Sequence, residues 1–406
     1  MKLKTRRHLA SAAAAIAVTL TTATASAAGP SPVIINAGMV FNGTDFVGPQ
    51  SVLVQNGKIA RIGTMGSIKL KGAKVINMPN GSLLPGFIDM HTHHLINNVP
   101  VRRMMEHGVT TARDLGSAEP NMPFPANQPY QLRQFYSGPI LQAPGGYPNV
   151  VFPGSGIEVS GSDAVKAKVD ELVAKGATAI AVSLEVGGEH GAPWGWHELP
   201  QGSAPPGSWP TLTDEELLAA VDEAHLKGVK VTAYLGNEAS ARRSLDAGVD
   251  EWAHSPCDPL SPQFFADYPT LTNLAVDGTI DTEVACNGAL DNAAALVHHG
   301  AKLFYSTDMG HLDIPHGIDA NEVHLGLHVG FHTGKDYPTA LAAALASATR
   351  EGGQYLGLAP LGQIAVGAPA DLIVISTNVM ANFKELEFPR YVLKDGAIVV
   401  ERSTGQ

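Results

Sequence analysis

Two histidines one residue apart, His91 and His93, close the stretch Gly86-Phe87-Ile88-Asp89-Met90-His91-Thr92-His93. On a β-strand alternate side chains face the same way, so these imidazoles point together from the end of an apolar strand, and His94 points away. A rigid pair of neutral imidazoles is half of a zinc-type divalent metal site. Other apolar runs end in groups of compatible chemistry. Asp308 closes Phe304-Tyr305-Ser306-Thr307-Asp308, His254 closes Glu251-Trp252-Ala253-His254, and Glu185 follows Ile180-Ala181-Val182-Ser183-Leu184. An aspartate beside a metal can accept a proton from the water that the ion activates. His254 suits a ligand or a group that polarises a substrate carbonyl, and Glu185 suits a bridging carboxylate. Each has a structural alternative: a helix N-cap for Asp308, a satisfied core histidine for His254, a loop carboxylate on backbone amides for Glu185.

Such groups need a scaffold that gathers strand ends. The chain repeats one unit five times: a helical segment, a glycine, then a short apolar strand. The glycines are Gly108, Gly176, Gly228, Gly248 and Gly300, each placed to stop a helix in the left-handed conformation. Val165, Val169, Leu172 and Val173 form one apolar helix face, and Thr213 with Glu216 forms a capping box. Continuously apolar strands in such units are parallel and buried on both faces. With strands at 85–93 and 279–285 added, residues 86–355 match the ~250 residues of a (β/α)8 TIM barrel, whose active sites lie at the C-terminal strand ends. Residues 33–85 and 356–406 read instead as short strands and turns, with hairpin signals at Asn56-Gly57, Asn80-Gly81 and Asp395-Gly396. The expectation is an α/β chain with one barrel and a small composite β-sandwich drawn from both ends.

Composition bounds the partners. The 406 residues carry 27 basic and 38 acidic side chains, a formal charge of −11. No basic stripe suits nucleic acid, and a small-molecule substrate is the expected partner. Residues 1–27 read as a signal peptide: Lys2, Lys4, Arg6 and Arg7, an apolar run too short for a membrane span, then Ala25-Ser26-Ala27. Arg6-Arg7 also fits a twin-arginine export signal. The expected location is therefore secreted or extracytoplasmic, with no other segment of membrane-spanning length. Cys257 and Cys286 permit one bridge there, or stand as two buried thiols. His324, His328 and His332 share a helix face and read as polar surface. His311 and His316 follow Asp308 in a loop that either lines the pocket or is solvated. Residues 191–210 hold three of the four tryptophans and read as a loop over the site mouth.

Together GFIDMHTH, the His254 and Asp308 strand ends, and LGQIAVGAPADLIVI (361–375) resemble the amidohydrolase superfamily, in its imidazolonepropionase-like and prolidase-like branch. The resemblance spans residues 33–400. It implies a barrel with a sandwich built from both termini, one or two divalent metals, and hydrolysis of amide or related bonds. By position His91 and His93 match the first-strand ligands, His254 the sixth-strand histidine and Asp308 the eighth-strand aspartate. Two positions depart from the branch. Ala181 stands where its fourth strand carries a metal-bridging lysine, and Tyr234 where its fifth strand ends in histidine. The remaining set, His91, His93, Asp308 and His254, suffices for one ion, most simply Zn2+, with Glu185 as a substitute bridge. The implied activity is metal-dependent hydrolysis of the C–N bond of a small amide, N-acyl or cyclic amide substrate. Asp308 is the base, and His254 or Tyr234 the carbonyl-polarising group. The two absent ligands also fit a degenerate barrel that only binds, and the metal alone also fits an isomerase or cyclase.

Overall fold

A computed structural model of the chain describes residues 29–189, 208–281, 286, 288–310 and 314–403. The proposed leader, most of the tryptophan-rich loop and His311 lie outside the described residues. The helix–glycine–strand units form as the pattern demands. Gly108, Gly176, Gly228, Gly248 and Gly300 all have positive φ, between 73° and 102°. Helix Ser162–Ala174 buries Val165, Val169 and Leu172, and helix Asp214–Leu226 opens with the Thr213/Glu216 capping box.

The strands of these units lie in two parallel sheets. Strands Phe87–Thr92, Val109–Asp114 and Arg133–Tyr136 form one. The other has seven strands. Its central run is Ala179–Ser183, Lys230–Tyr234, Glu251–Trp252, Ala275–Asp277 and Lys302–Phe304. Ile140–Gln142 and then Gly156–Glu158 extend it at one edge. The assigned ladders do not close into one ring. Single backbone hydrogen bonds bridge their ends: Met90 N–H to the Tyr305 carbonyl at 3.2 Å, Asp308 N–H to His91 at 3.0 Å, and Thr178 N–H to Tyr136 at 2.8 Å.

Two expectations are corrected here. The strand expected at 279–285 lies upstream, at Ala275–Asp277. Thr279, with φ of 44°, turns the chain out of the ladder, and residues 282–285 of that expectation lie outside the described residues. Asn80-Gly81 is no hairpin; it sits inside the unbroken strand Lys74–Pro85. A Cβ on Gly81 would fall 2.3 Å from the Ile375 carbonyl oxygen, so this glycine admits a neighbouring strand.

That neighbour comes from the other end of the chain. Strand Lys74–Pro85 pairs parallel with Val33–Phe41 on one side and antiparallel with Leu372–Ile375 on the other. Both ends of the chain thus enter a single eight-stranded hydrogen-bonded sheet, in the segments where a composite β-sandwich was expected. Asn56-Gly57 and Asp395-Gly396 do make its tight turns, all four residues at positive φ. One apolar cluster joins this sheet to the barrel-type units: Phe41, Leu84, Ile373 and Val392 pack with Phe87, Val109 and Leu341. Among the described residues no helix is long and apolar enough to cross a membrane.

Candidate metal centre

The strand Phe87–Thr92 is buried at every position, which fixes its register and aims His91 and His93 inward as the alternation requires. His94 faces elsewhere, with Thr92 Oγ1 at 2.8 Å and Gln134 Oε1 at 3.0 Å. The Asp308 backbone N–H donates to the His91 carbonyl, and Asp308 itself has φ of +55°. An aspartate in the left-handed region is costly unless its surroundings impose it. Here the conformation turns the carboxylate onto the two imidazoles.

The result is a triangle of donor atoms. His91 Nε2 and His93 Nε2 are 3.2 Å apart, and Asp308 Oδ1 lies 3.4 Å from the first and 3.1 Å from the second. Among the described residues these three form the one metal-competent group. The protonation pattern shows what the triangle lacks. His91 Nδ1 donates to the Ala253 carbonyl at 2.7 Å, so its Nε2 presents a lone pair. Burial, with the charges of His254 and His93, holds His91 well below the ordinary histidine range, against the pull of Asp308. The Tyr234 hydroxyl donates to the Leu115 carbonyl and sits 3.0 Å from the same Nε2. Burial pushes Tyr234 well above the ordinary phenol range, so it stays neutral. Lone pairs from His91, His93, Asp308 and Tyr234 therefore converge. Donors at these spacings suit a single ion held at ~2.0–2.2 Å from each.

His254 lies beside this triangle, its ring centroid 4.8 Å from that of His91 and 5.3 Å from that of Tyr234. Thr279 Oγ1 donates to the Gly278 carbonyl and so accepts from His254 Nδ1 at 2.9 Å. That leaves Nε2 of a neutral His254 as an acceptor. Glu185 is buried against Glu189, outside the donor triangle; the connection that carries it folds toward Gly236 and Asn237 instead. Ala181 sits in an apolar cluster with Leu115, Ile140, Ala253 and Tyr234. The Tyr234 ring and hydrocarbon thus occupy the region where a bridging lysine and a further histidine were missed. His316 is exposed. His324 and His328 face each other on helix Ala320–His332, Nε2 to Nε2 at 3.1 Å.

The sequence reading passed over the groups beneath the triangle. Asp89, two residues before the His-x-His motif, accepts from Thr307 Oγ1 at 2.7 Å and from the N–H groups of Thr307 and His91 at 3.2 Å. It ties the His91 strand to the Asp308 segment, and burial pushes its carboxyl up to about 7. Arg113 donates from Nε to the Met90 carbonyl at 2.8 Å, binds Glu251 through both terminal nitrogens and reaches Asp277 at 3.2 Å. Asp277 Oδ2 lies 3.8 Å from His91 Nδ1. The signal was present for three of them: the ionisable residues Asp89, Arg113 and Glu251 lie within short runs read as strands, and Asp277 lies on the strand that was expected further downstream.

A cavity of about 100 Å3 opens above the triangle. His93, His254 and Asp308 form its floor; Ile96, Ile140, Tyr147, Pro148 and Phe152 its apolar wall; Asn97 and Ser155 its neutral polar groups. Trp209 stacks on Tyr147, centroids 5.9 Å apart and planes 14° from parallel. Behind Trp209 Cys257 and Cys286 are joined by a disulfide.

The chain resembles known proteins over part of its sequence and in its fold. The family model of the amidohydrolase family matches residues 271–399. No curated protein matches the chain. Among solved structures, a Xaa-Pro dipeptidase with methionine bound in its active site superposes with a TM-score of 0.70 at 20% identity, covering 92% of this chain and 100% of its own. The ochratoxinase of A. niger gives 0.69 at 17% identity, covering 93% and 98%. Phenylurea hydrolase B gives 0.68 at 16%, covering 91% and 97%. At these identities the likeness is one of fold.

Proposed function

We propose that this chain, a member of the amidohydrolase superfamily, is a hydrolase that cleaves the C–N bond of small amides with one divalent metal ion. The observation that carries the reading is the convergence of His91, His93 and Asp308, with lone pairs directed at one point. The apolar packing around Ala181 and Tyr234 supports a single ion, which we take as Zn2+. The same reading takes the two parallel sheets as arcs of one (β/α)8 barrel over 86–355, flanked by a composite unit from 33–85 and 356–406. The bridging hydrogen bonds from Met90 and Asp308 support it, as do the solved structures that the chain resembles throughout. Export by the leader belongs to this proposal too, supported by the Cys257–Cys286 bridge, which an oxidising compartment preserves.

Bound there, a divalent ion supplies Lewis acidity, polarising a carbonyl and making water nucleophilic near neutral pH. The side chains do the rest. His91 stays neutral and fixed by Ala253, which keeps its donor nitrogen aimed inward. Asp308 accepts the proton of the attacking water and returns it to the leaving nitrogen. His254 offers Nε2 to the cavity as a second proton acceptor, and once protonated it donates to the developing oxyanion. The hydrogen bond to Thr279 supports the carbonyl-polarising role that the sequence offered for His254 beside ligation.

The test is metal analysis with activity on small N-acyl amides. We expect about one ion per chain, loss of hydrolysis on chelation, recovery with Zn2+, and at least ~10^3-fold slower turnover in Asp308→Asn. Full activity in metal-free protein would overturn the reading. Two tightly bound ions would overturn its single-ion form.

A further inference from the structure

The proposed hydrolase leaves open which amides it takes, and the charge around the cavity bears on that choice. Eight connections leave the parallel strands at the ends that bear His93, His254 and Asp308; their described residues are 93–100, 115–132, 143–161, 184–189 with 208–213, 235–237, 253–261, 278–281 with 286 and 288, and 305–310 with 314–319. Among these described residues are eight Asp or Glu and no Lys or Arg; Glu119, on the second connection, reaches Lys175 away from the cavity. The cations of the strands themselves lie away from the cavity, Lys302 at the exposed start of its strand. Arg113 is buried under His91 between Glu251 and Asp277, two carboxylates to one guanidinium. Arg133 is bound to Asp371 and Asp395 on the terminal sheet. Lys230 lies over the Tyr355 ring, 3.3 Å from its centroid. What meets a substrate is the apolar wall of Ile140, Tyr147 and Phe152 together with neutral Asn97 and Ser155.

A carboxylate on a bound molecule would lose its water here, and no guanidinium or ammonium of these connections could replace it. An uncharged amide loses less, and its apolar part gains the aromatic wall. Resting on the hydrolase reading, we propose that the site selects uncharged amides with an apolar or ring-bearing group on the Tyr147 wall, and rejects substrates that carry a free carboxylate or phosphate. An ion held by His91, His93 and Asp308 would supply its Lewis acidity at the reacting carbonyl; the selection concerns the rest of the substrate, which would lie along the connections.

The test uses the metal-loaded full chain and a matched pair, N-benzoylglycine N-methylamide and N-benzoylglycine, followed by benzoate release. The neutral member is expected to have the higher kcat/KM by about tenfold or more, the scale of one unfavourable charge in a partly desolvated site. Added salt should narrow the ratio, because screening weakens charge repulsion and leaves a purely steric preference unchanged. Ser155→Lys should shift the ratio toward the acid by about tenfold. An acid cleaved as fast as the amide by the unmodified chain overturns the proposal, as does a ratio indifferent to both salt and Ser155→Lys. If neither compound is cleaved, the hydrolase reading fails for this class, and calorimetric binding of the same pair decides selectivity alone. Tighter amide binding then supports the proposal, and equal or tighter acid binding overturns it.

Discussion

At the scale of single residues the site rests on four side chains with distinct histories in the sequence. His91 and His93 were legible because strand alternation fixes which way a residue points, and Asp308 because it closes an apolar run. Tyr234 was legible only as an oddity. Its environment explains it: a neutral phenol, held against Leu115, whose oxygen faces His91 Nε2. We expect Tyr234→Phe to keep its fold while binding the ion about tenfold more weakly or turning over ~10- to 100-fold more slowly, since one positioned hydrogen-bonding atom is lost. Metal titration alongside kcat and KM checks this, and unchanged values of all three would remove Tyr234 from the site. Glu185, which the sequence offered as a bridge or a loop carboxylate, lies with Glu189 outside the donor triangle, since a loop residue two positions beyond a strand has no period to fix its direction.

Elements position these residues, and their charged interior has consequences of its own. Arg113, Glu251 and Asp277 stand on three separate strands, at most 2% exposed, and are linked to one another. Arg113→Met leaves two buried carboxylates without their cation, which should cost about 3–5 kcal/mol in urea unfolding; a loss below about 1 kcal/mol would mean that the carboxylates find other partners. Helix Ala320–His332 opens on Asp319, whose carboxylate caps the Asn321 N–H at 2.8 Å. Burial and the neighbouring Asp281 nevertheless push its carboxyl up to about 7, from 3.8. The folded state therefore holds this proton more tightly than the unfolded chain, and its stabilising effect fades as pH rises from about 4 to about 7. Asp319→Asn keeps a capping oxygen and has no proton to lose. Relative to the unmodified chain it should gain on the order of 2 kcal/mol between pH 5 and pH 8. Urea unfolding at the two pH values checks this, and a difference that does not change with pH counts against it. Elements marked by a helix stop and an apolar strand were readable; the seventh strand was not. Ala275–Asp277 is three residues long, and its identity is set by parallel partners on either side.

The whole molecule is held by contacts far apart in sequence, which is why its outline was less legible than its units. Local pattern gave strands at both ends, yet nothing in it set which of them pair. That choice lies in Gly81 and in the pairing of Lys74–Pro85 with Leu372–Ile375. The apolar cluster shared by this sheet and the strand–helix units predicts a single unfolding event. Leu84→Ala, at a fully buried position within the cluster, should lower stability by about 2–5 kcal/mol. Tyrosine fluorescence and far-ultraviolet dichroism should still report the same midpoint, whereas two separated transitions would show independent domains. The shared sheet also imposes an order of events during biosynthesis. A ribosome makes strand Lys74–Pro85 nearly three hundred residues before its partner Leu372–Ile375. Throughout that interval one edge of the strand offers unpaired N–H and C=O groups. The nascent chain must therefore be shielded until its last fifty residues emerge, and a ribosome stalled before Leu372 would release a protein prone to aggregate.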